Sequence, residues 1–439
     1  MHSPTRRQAI GGLSSLFLIA GLPSAATTAP PPQKVISVWY GLILDLVRHT
    51  PTYTPPVVSR TLGYAGVAVY EATATGRDDL QTLAGQLNAF AAGPAREAGT
   101  HDEALVLHAA LSGVVARLFF NTGPTGQRAL KAVTDKLGAA TEAPLSPDVA
   151  RRSRAHGEAL AAHVLDWAAG DGGAEIVNLG FPEDYALTPG PAHWVPTNHV
   201  ALQQKPLLPH WGENRPFAMQ DGTSCRLPPP PAYSEDPGSD FYREAMEVYE
   251  VGKTLTDDQR AIAAFWSDDA MLSRTPPGHW MSIALDALAA EGADQARYAD
   301  VLARLGIVLA DAFIACWQGK YEYDLVRPVT YINRLIDPDW TPILATPPFP
   351  EYPSGHSTQS GAAAEVLTAL FGADHAFTDE TPTIEGLAPR RFASFRAAAD
   401  EAGISRLYGG IHYRAAIERG LDQGRCIAAY TNALKTRRT

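Results

Sequence analysis

Ser354, Gly355 and His356 stand together directly before an apolar helical pattern, in the stretch EYPSGHSTQSGAAAEVLTALFG. A helix N-terminus exposes unpaired backbone N–H groups and the positive end of the helix dipole. Glycine lets a ligand approach the backbone, serine caps the helix or donates a hydrogen bond, and histidine titrates near neutral pH. These residue types predict an anion site. An ordinary Ser/Gly cap with a solvated histidine would give the same three letters.

Four more residues in the last quarter of the chain could bind an anion. Lys320 and Arg327 lie seven residues apart in WQGKYEYDLVRPVTY, which on a helix is two turns, so both could share one face. The proline after Arg327 predicts the end of that helix. Arg406 and His412 flank a Gly-Gly turn in SRLYGGIHYR. Each basic residue alone is typical of a solvated surface, but the whole set fits a multiply charged tetrahedral or trigonal-bipyramidal oxyanion.

The elements that must position these residues are predicted to be helices. Apolar residues recur at helical spacing in stretches such as 101–120, 146–169 and 296–318, whereas alternating strand patterns are scarce. The sequence therefore predicts an all-α fold. Between two helical halves lies a segment with twelve prolines and several aromatic residues, which argues against plain disorder. We expect an N-terminal helical bundle at 31–170, an ordered proline-rich connection at 171–240 and a C-terminal helical bundle at 241–439.

Charge and hydropathy exclude several classes of protein. The chain has 439 residues and a formal charge of −11, which disfavours binding to nucleic acid or to an anionic membrane surface. No apolar run beyond the N-terminus reaches the ~18 residues that a transmembrane span needs. Arg6 and Arg7 precede an apolar stretch and small residues of the cleavage type, so residues 1–30 are interpreted as a twin-arginine-like export signal. We therefore expect a periplasmic or extracellular protein.

Three cysteines and two partial motifs give little information about function. Cys225, Cys316 and Cys426 match no zinc pattern and leave one disulfide open, with Cys316 expected to pack as a small buried hydrophobe. VGKT at 251–254 resembles the end of a phosphate loop, and GHSTQ at 355–359 resembles a nucleophile elbow, but each lacks a required glycine.

Three blocks of sequence carry a family resemblance. Residues 320–328, 353–356 and 405–412 match, in order, Lys-x6-Arg-Pro, Pro-Ser-Gly-His and Ser-Arg-x5-His. This signature is shared by type 2 phosphatidic-acid-phosphatase-like enzymes and vanadium-dependent haloperoxidases. ACWQGKY, PPFPEYPSGHST and PPGHW resemble the haloperoxidase branch, in particular its exported bacterial members. The resemblance implies two helical bundles with the oxyanion site in the C-terminal one.

The resemblance also implies a cofactor, substrates and residue roles. The cofactor would be vanadate, with phosphate able to occupy the same site, and hydrogen peroxide and halide would react to give hypohalous acid. His412 would be the one protein ligand of vanadium, and His356 the acid–base residue. The groups that would hydrogen-bond the vanadate oxygens belong to Lys320, Arg327, Ser354, Gly355, His356 and Arg406. Lys320 would also polarise the peroxide substrate, and Trp317 and Phe349 would border the halide.

One position departs from the family pattern. Many relatives place aspartate four residues after the last histidine, where this chain has Ala416, so another acid or a backbone carbonyl must hold the His412 ring. This departure argues weakly against phosphoryl transfer, which needs a well-activated nucleophile. Two alternatives stay open: an exported acid phosphatase with His412 as nucleophile, and a non-catalytic oxyanion-binding protein. The sequence also leaves open the halide, an organic acceptor and homo-oligomerisation.

Overall fold

The computed structural model describes residues 29–197 and 204–438, and within them the fold is helical. The described residues form thirteen α-helices and one two-stranded antiparallel hairpin, which confirms the all-α prediction. The helices are α1 (Pro32–Arg48), α2 (Pro55–Ala74), α3 (Glu103–Leu118), α4 (Pro124–Glu142), α5 (Pro147–Ala169), α6 (Asp240–Thr254), α7 (Asp257–Phe265), α8 (Thr275–Glu291), α9 (Gln295–Tyr323), α10 (Pro328–Leu335), α11 (Gly355–Phe371), α12 (Phe395–Tyr408) and α13 (Arg414–Asn432). The strands are β1 (Phe377–Asp379) and β2 (Arg390–Phe392).

The predicted export signal lies outside the described residues, apart from its last two positions. Within the described ranges, no helix is long and apolar enough to cross a membrane.

Helix α9 runs through the core and delivers residues to the candidate site at its C-terminal end. It packs against α2 at glycines: a Cβ added to Gly66 would lie 2.7 Å from the Leu302 carbonyl oxygen, and one added to Gly306 would lie 2.5 Å from the Leu62 carbonyl oxygen. No larger residue fits so close a backbone approach. One apolar core spans both helices, and the boundaries at 170 and 240 stay predictions.

Helices α11 and α13 also meet through glycines. A Cβ at Gly361 would lie 2.6 Å from the Leu421 carbonyl oxygen, and one at Gly420 would lie 2.8 Å from the Ser357 Cβ. The backbone of Ser354 donates to the carbonyl of Ala416 at 3.1 Å. This packing brings the start of α11, with its Ser-Gly-His sequence, beside the start of α13, which follows His412.

The proline-rich segment is tied to α9 by hydrogen bonds. Asp311 of α9 is fully buried and accepts from the backbone N–H groups of Phe217, Ala218 and Met219 at 2.6, 2.9 and 3.0 Å. The carbonyl of Leu207 accepts from Trp317 Nε1 and from the hydroxyl of Tyr321. The described part of this segment is therefore fixed against the helix that carries Lys320. Residues 198–203 lie outside the described ranges.

The cysteines divide into a pair and a single buried thiol. Cys225 in the proline-rich segment forms a disulfide with Cys426 of α13. Cys316 of α9 is unpaired and buried, as expected for a small hydrophobe.

Candidate oxyanion site

Lys320 and Arg327 reach the site from two different elements. The prediction that they share one helical face is wrong, because α9 ends at Tyr323 and Arg327 is the N-cap of α10. The backbone of Arg327 is extended, with φ −75° and ψ 152°. The residue before a proline is disfavoured in the helical conformation, which accounts for the extended Arg327, while α9 itself ends four residues earlier, before a left-handed Asp324.

Lys320 is a completely buried ammonium group with three carbonyl partners. Its Nζ donates to the backbone oxygens of Pro350, Glu351 and Pro353 at 2.9, 3.1 and 2.6 Å. Burial, together with the nearby Arg327 guanidinium, lowers the pKa of Lys320 to about 7. All three donors of the ammonium group are occupied, so Lys320 would contact an oxyanion by exchanging one of these bonds.

Arg327 and Arg406 are buried guanidinium groups with donors left over. Arg327 donates to the carbonyls of Phe349 and Ile411, both at 2.9 Å, and Arg406 Nη1 donates to the Trp266 carbonyl at 2.6 Å. Within the described part of the chain, Arg327 Nη2 and Arg406 Nε are buried without a hydrogen-bond partner. Buried donors are normally satisfied, so these two N–H groups are available to a ligand.

Ser354 and Gly355 form the start of α11, as the sequence predicts. Ser354 is the N-cap, and its Oγ accepts from the Ser357 backbone N–H at 3.3 Å and from the Ser357 hydroxyl at 3.0 Å. A Cβ added to Gly355 would meet the Trp317 ring at 3.8 Å and Cys316 Sγ at 3.9 Å, which is ordinary contact. Protein packing therefore does not require glycine at this position.

His412 is oriented by a carboxylate that our sequence reasoning missed. His412 Nδ1 lies 2.8 Å from Glu351 Oε1, which also accepts from the Tyr413 backbone N–H at 2.9 Å. Many relatives have an aspartate at the position of Ala416, and in this chain the acid beside the His412 ring is Glu351 instead. Donation from Nδ1 leaves the Nε2 lone pair free to act as a ligand, and in this structure Nε2 lies 3.2 Å from Arg327 Nη1. The sequence feature that could have identified Glu351 is the acid just before the Pro-Ser-Gly-His block, in PFPEYPSGH.

The surroundings of His412 bring together the other predicted polar residues. Burial lowers its pKa well below the ordinary value, and four charged or titratable groups add to the effect. Those groups are Arg327, Lys320, Arg406 and His356. The ring is therefore neutral at neutral pH, which is the form that can coordinate a metal.

His356 is held more loosely, next to Asp268. Its Nε2 lies 3.7 Å from Asp268 Oδ2, which is too long for a hydrogen bond, and neither atom has another partner among the described residues. Burial and the Arg406 charge lower the pKa of His356 to about 4, so the ring is neutral at neutral pH. Asp268 was not predicted from the sequence, since nothing in its local pattern connects it to a site 88 positions away.

Trp317 and Phe349 form an apolar wall beside the cations. Their ring centroids are 4.9 Å apart, and the Phe349 centroid lies 5.0 Å from Lys320 Nζ and 5.1 Å from Arg327 Cζ. Both cations are within the distance of cation–π attraction.

Comparisons with known proteins identify the family of this chain. The family profile of the VCPO second helical-bundle domain matches residues 300–339 and 334–438. A crystal structure of a bacterial vanadium-dependent iodoperoxidase is 37% identical, with a TM-score of 0.85, over 95% of this chain and 99% of that one. The chain belongs to the vanadium-dependent haloperoxidase family. This confirms the resemblance inferred from the three sequence blocks, all of which lie within the region that the profile matches.

Two further haloperoxidases match this chain with lower sequence identity. Vanadium chloroperoxidase of Curvularia inaequalis is 28% identical over 138 residues, which span 26% of this chain and only 23% of that protein. The holo-type bacterial vanadium-dependent chloroperoxidase has a TM-score of 0.67 at 16% identity, over 88% of this chain and 93% of that one. The latter comparison shows a shared haloperoxidase fold.

Proposed function

We propose that this haloperoxidase is a vanadate-dependent enzyme that oxidises halide with hydrogen peroxide to hypohalous acid. The observation that carries the proposal is the set of three buried cations, Lys320, Arg327 and Arg406. Within the described ranges, none of them forms an ion pair with a carboxylate. Burying an unpaired charge is costly, and a multiply charged oxyanion would pair all three at once.

Vanadate fits the groups that this site leaves free. Arg327 Nη2 and Arg406 Nε are unpartnered donors in the described chain, and Gly355 has no side chain that would hinder an approach to its backbone N–H. The Nε2 lone pair of His412 would bind vanadium, and Ser354 and His356 would contact the oxygens. When bound, vanadate supplies a Lewis acid that activates peroxide at neutral pH.

The side chains of the site have separate tasks in the proposed reaction. His356, neutral above a pH of about 4 without the anion, accepts a proton from incoming peroxide and returns it to the water or hydroxide that leaves. Glu351 holds the His412 tautomer. Lys320 directs its positive charge at the peroxide. Trp317 and Phe349 exclude water from the position where halide would approach.

Two further features of the proposal concern the substrate and the compartment. We infer iodide as the first halide to test, because the relative with 37% identity is described as an iodoperoxidase. We also infer export to the periplasm or the exterior, which the twin-arginine-like sequence and the Cys225–Cys426 disulfide support.

Acid phosphatase activity belongs in the same experiment for one specific reason. The absence of an aspartate at Ala416 argued against an activated His412, but the Glu351 carboxyl group, whose pKa burial raises to about 8, lies 2.8 Å from that ring. The argument against a nucleophilic His412 therefore loses its force. Phosphate and vanadate have similar shape and charge, so the binding residues do not distinguish them.

Reconstitution tests the function directly. Protein freed of vanadate should show no peroxide-dependent oxidation of iodide, bromide or chloride until vanadate is added, and excess phosphate should block the recovery. Hydrolysis of a phosphate ester is assayed on the same samples. Activity that depends on haem or iron, or phosphatase activity without any vanadate-dependent oxidation, would contradict the proposal.

A further inference from the structure

His279 of α8 is a completely buried residue that the proposed reaction does not use. Its Nδ1 lies 2.9 Å from Asp268 Oδ1, and its Nε2 lies 2.7 Å from Asp379 Oδ2. The second oxygen of Asp268 lies 3.7 Å from His356 Nε2. The groups therefore follow in the order Asp379, His279, Asp268 and His356, from strand β1 to the oxyanion site.

His279 contacts the segment between α7 and α8 twice. The ring of Trp266 stacks on the His279 ring, with centroids 4.6 Å apart and planes at 20°, and Asp268 accepts the hydrogen bond described above. The carbonyl of Trp266 accepts from Arg406 Nη1. This short segment thus reaches two residues of the site, Arg406 through a carbonyl and His356 through a carboxylate.

The loop that carries Asp268 has a strained backbone. Asp268, Met271 and Thr275 have φ of 50°, 69° and 62°, a region that residues with a side chain rarely adopt. Such conformations persist where surrounding contacts hold them, and they concentrate at functional sites. The hydrogen bond from His279 is one contact that holds Asp268 in this conformation.

We propose that His279 is a positioning residue for the oxyanion site, an inference that rests on the proposed peroxidase function. Held by Asp379, its ring keeps one Asp268 oxygen in place, so that the other oxygen faces His356 Nε2 at 3.7 Å. In a neutral His356 ring, the negative charge of Asp268 favours the hydrogen on Nε2 and the proton-accepting lone pair on Nδ1. His279 keeps both of its own protons throughout, so no proton moves along the chain of groups.

The charges of the region support this arrangement. Burial opposes a charge on His279, but Asp268 and Asp379 outweigh it and raise its pKa to about 10. Burial also opposes a charge on Asp268, but the His279 imidazolium keeps the pKa of that carboxyl below its usual value. The other charged groups that face this region are Arg406, Asp269 and Glu385.

Packing alone does not explain why Asp379, His279 and Asp268 are buried together. Burying two carboxyls and an imidazolium costs desolvation free energy, which apolar side chains of similar volume would avoid. A function for the charged set therefore explains what packing alone does not.

Two substitutions test the role of His279. In His279→Gln the cation and one hydrogen bond are lost, while Asp379→Asn keeps the shape and the bond to the Thr381 N–H but removes the outer charge. His108→Gln is the matched control, because His108 is a buried histidine of α3 with no contact to the site. Folding is checked by circular dichroism, and phosphate affinity of the vanadate-free proteins by calorimetry. Histidine ring protons are followed by NMR between pH 4 and 9, a range of about five units around the ordinary histidine pKa.

In both variants we expect peroxide-dependent iodide oxidation to fall by about tenfold or more, as for partners of ligating residues. The pKa of His356 should rise in His279→Gln, because a nearby positive charge is removed, and should fall in Asp379→Asn, because a negative charge is removed. Phosphate affinity should fall a few-fold in His279→Gln, through Arg406. His108→Gln should change none of these. A folded His279→Gln with wild-type rate, phosphate affinity and His356 titration would overturn the proposal.

The remaining outcomes also decide the question. If His279→Gln does not fold, an unchanged His356 titration in Asp379→Asn overturns the role. In the unmodified protein, the His279 ring should keep both protons through pH 8, about one and a half units above an ordinary histidine pKa; loss of one proton near pH 6.5 overturns it as well. If the unmodified protein shows no vanadate-dependent oxidation, the proposed function fails, but the NMR and phosphate measurements still test the positioning role.

Discussion

The His412 side and the His356 side of the site differ in how the ring is held. His412 donates from Nδ1 to Glu351 at 2.8 Å, and its neighbour Tyr413 donates to the same oxygen. His356 ends 3.7 Å from Asp268, beyond hydrogen-bond distance, and keeps an exposed side-chain fraction of 17% against 4% for His412. One histidine is fixed in a single tautomer, and the other has room to adjust.

This difference matches two chemical requirements. A metal ligand needs a lone pair that points in one direction, and a fixed partner on the other ring nitrogen supplies it. An acid–base residue must gain and lose a proton within each turnover, so permanent pairing in one state would slow it. Substitutions at each side should separate these roles.

The largest effect is expected at the fixed histidine. His412→Ala removes the proposed bond to vanadium, so turnover should be abolished, while the buried cations should still bind phosphate with measurable affinity. Steady-state iodide oxidation and phosphate calorimetry on the same preparation check both parts. Normal turnover in the variant would contradict the ligand role.

The adjustable histidine should affect rate and pH dependence instead of binding. His356→Ala should bind vanadate but lose a factor of about 10² to 10⁴ in rate, the usual contribution of acid–base catalysis. Without the anion, the pKa of His356 is about 4. Bound vanadate oxygens favour the protonated ring, so the rise in kcat/KM with increasing pH should lie above pH 4 and should be absent from the variant. An unaltered pH profile would show that His356 takes no part in proton transfer.

Glu351 tests whether orientation alone distinguishes the two sides. Glu351→Ala should weaken vanadate affinity by about 10- to 100-fold, the range found for partners of ligating histidines. Glu351→Gln keeps an acceptor for the His412 Nδ1–H and should lose less. The affinities are measured by titrating vanadate into the vanadate-free protein and recording recovered activity. Equal affinity in the alanine variant and the unmodified protein would show that Glu351 does not orient the ligand.

The smallest effect is expected at the helix cap between the two histidines. Ser354→Ala removes the cap of α11 and one proposed contact to vanadate, so unfolding free energy should fall by about 1 kcal/mol and vanadate affinity by less than about tenfold. Ser146→Ala is the control, since Ser146 caps α5 in the same way, far along the chain from the site. Ser146→Ala should lower the midpoint of thermal unfolding and leave vanadate affinity unchanged. An equal loss of vanadate affinity in both variants would remove Ser354 from the site.

Sequence reasoning reached the site because its key residues keep fixed spacings. Lys320, Arg327 and Arg406 were predicted from their types and order, and the cap at Ser354 follows from local helix chemistry. The capping box of α7 likewise follows from local chemistry, since Thr256 and Gln259 have the residue types and the spacing that it requires.

What the sequence did not predict depends on contacts between distant segments. Glu351 and Asp268 act through histidines that lie 61 and 88 positions further along the chain. Helices α4, α6 and α10 were not predicted, because their apolar faces are narrow and only a few of their residues are buried. The proline after Arg327 predicted the end of α9 at Arg327, but the helix already ends at Tyr323, where Asp324 adopts a left-handed conformation that its local sequence does not predict.

The disulfide between Cys225 and Cys426 has a practical consequence for anyone preparing the enzyme. It closes a loop of about 200 residues, for which a chain-entropy estimate gives a stabilisation of about 5 kcal/mol. It also lies next to Gln423, which donates to the Cys225 carbonyl and accepts from Thr358 in α11. Thiol reductants in purification buffers would open this link and also consume the peroxide and hypohalous acid of the assay. Because of this disulfide, the protein should be produced in an oxidising compartment and stored without thiols.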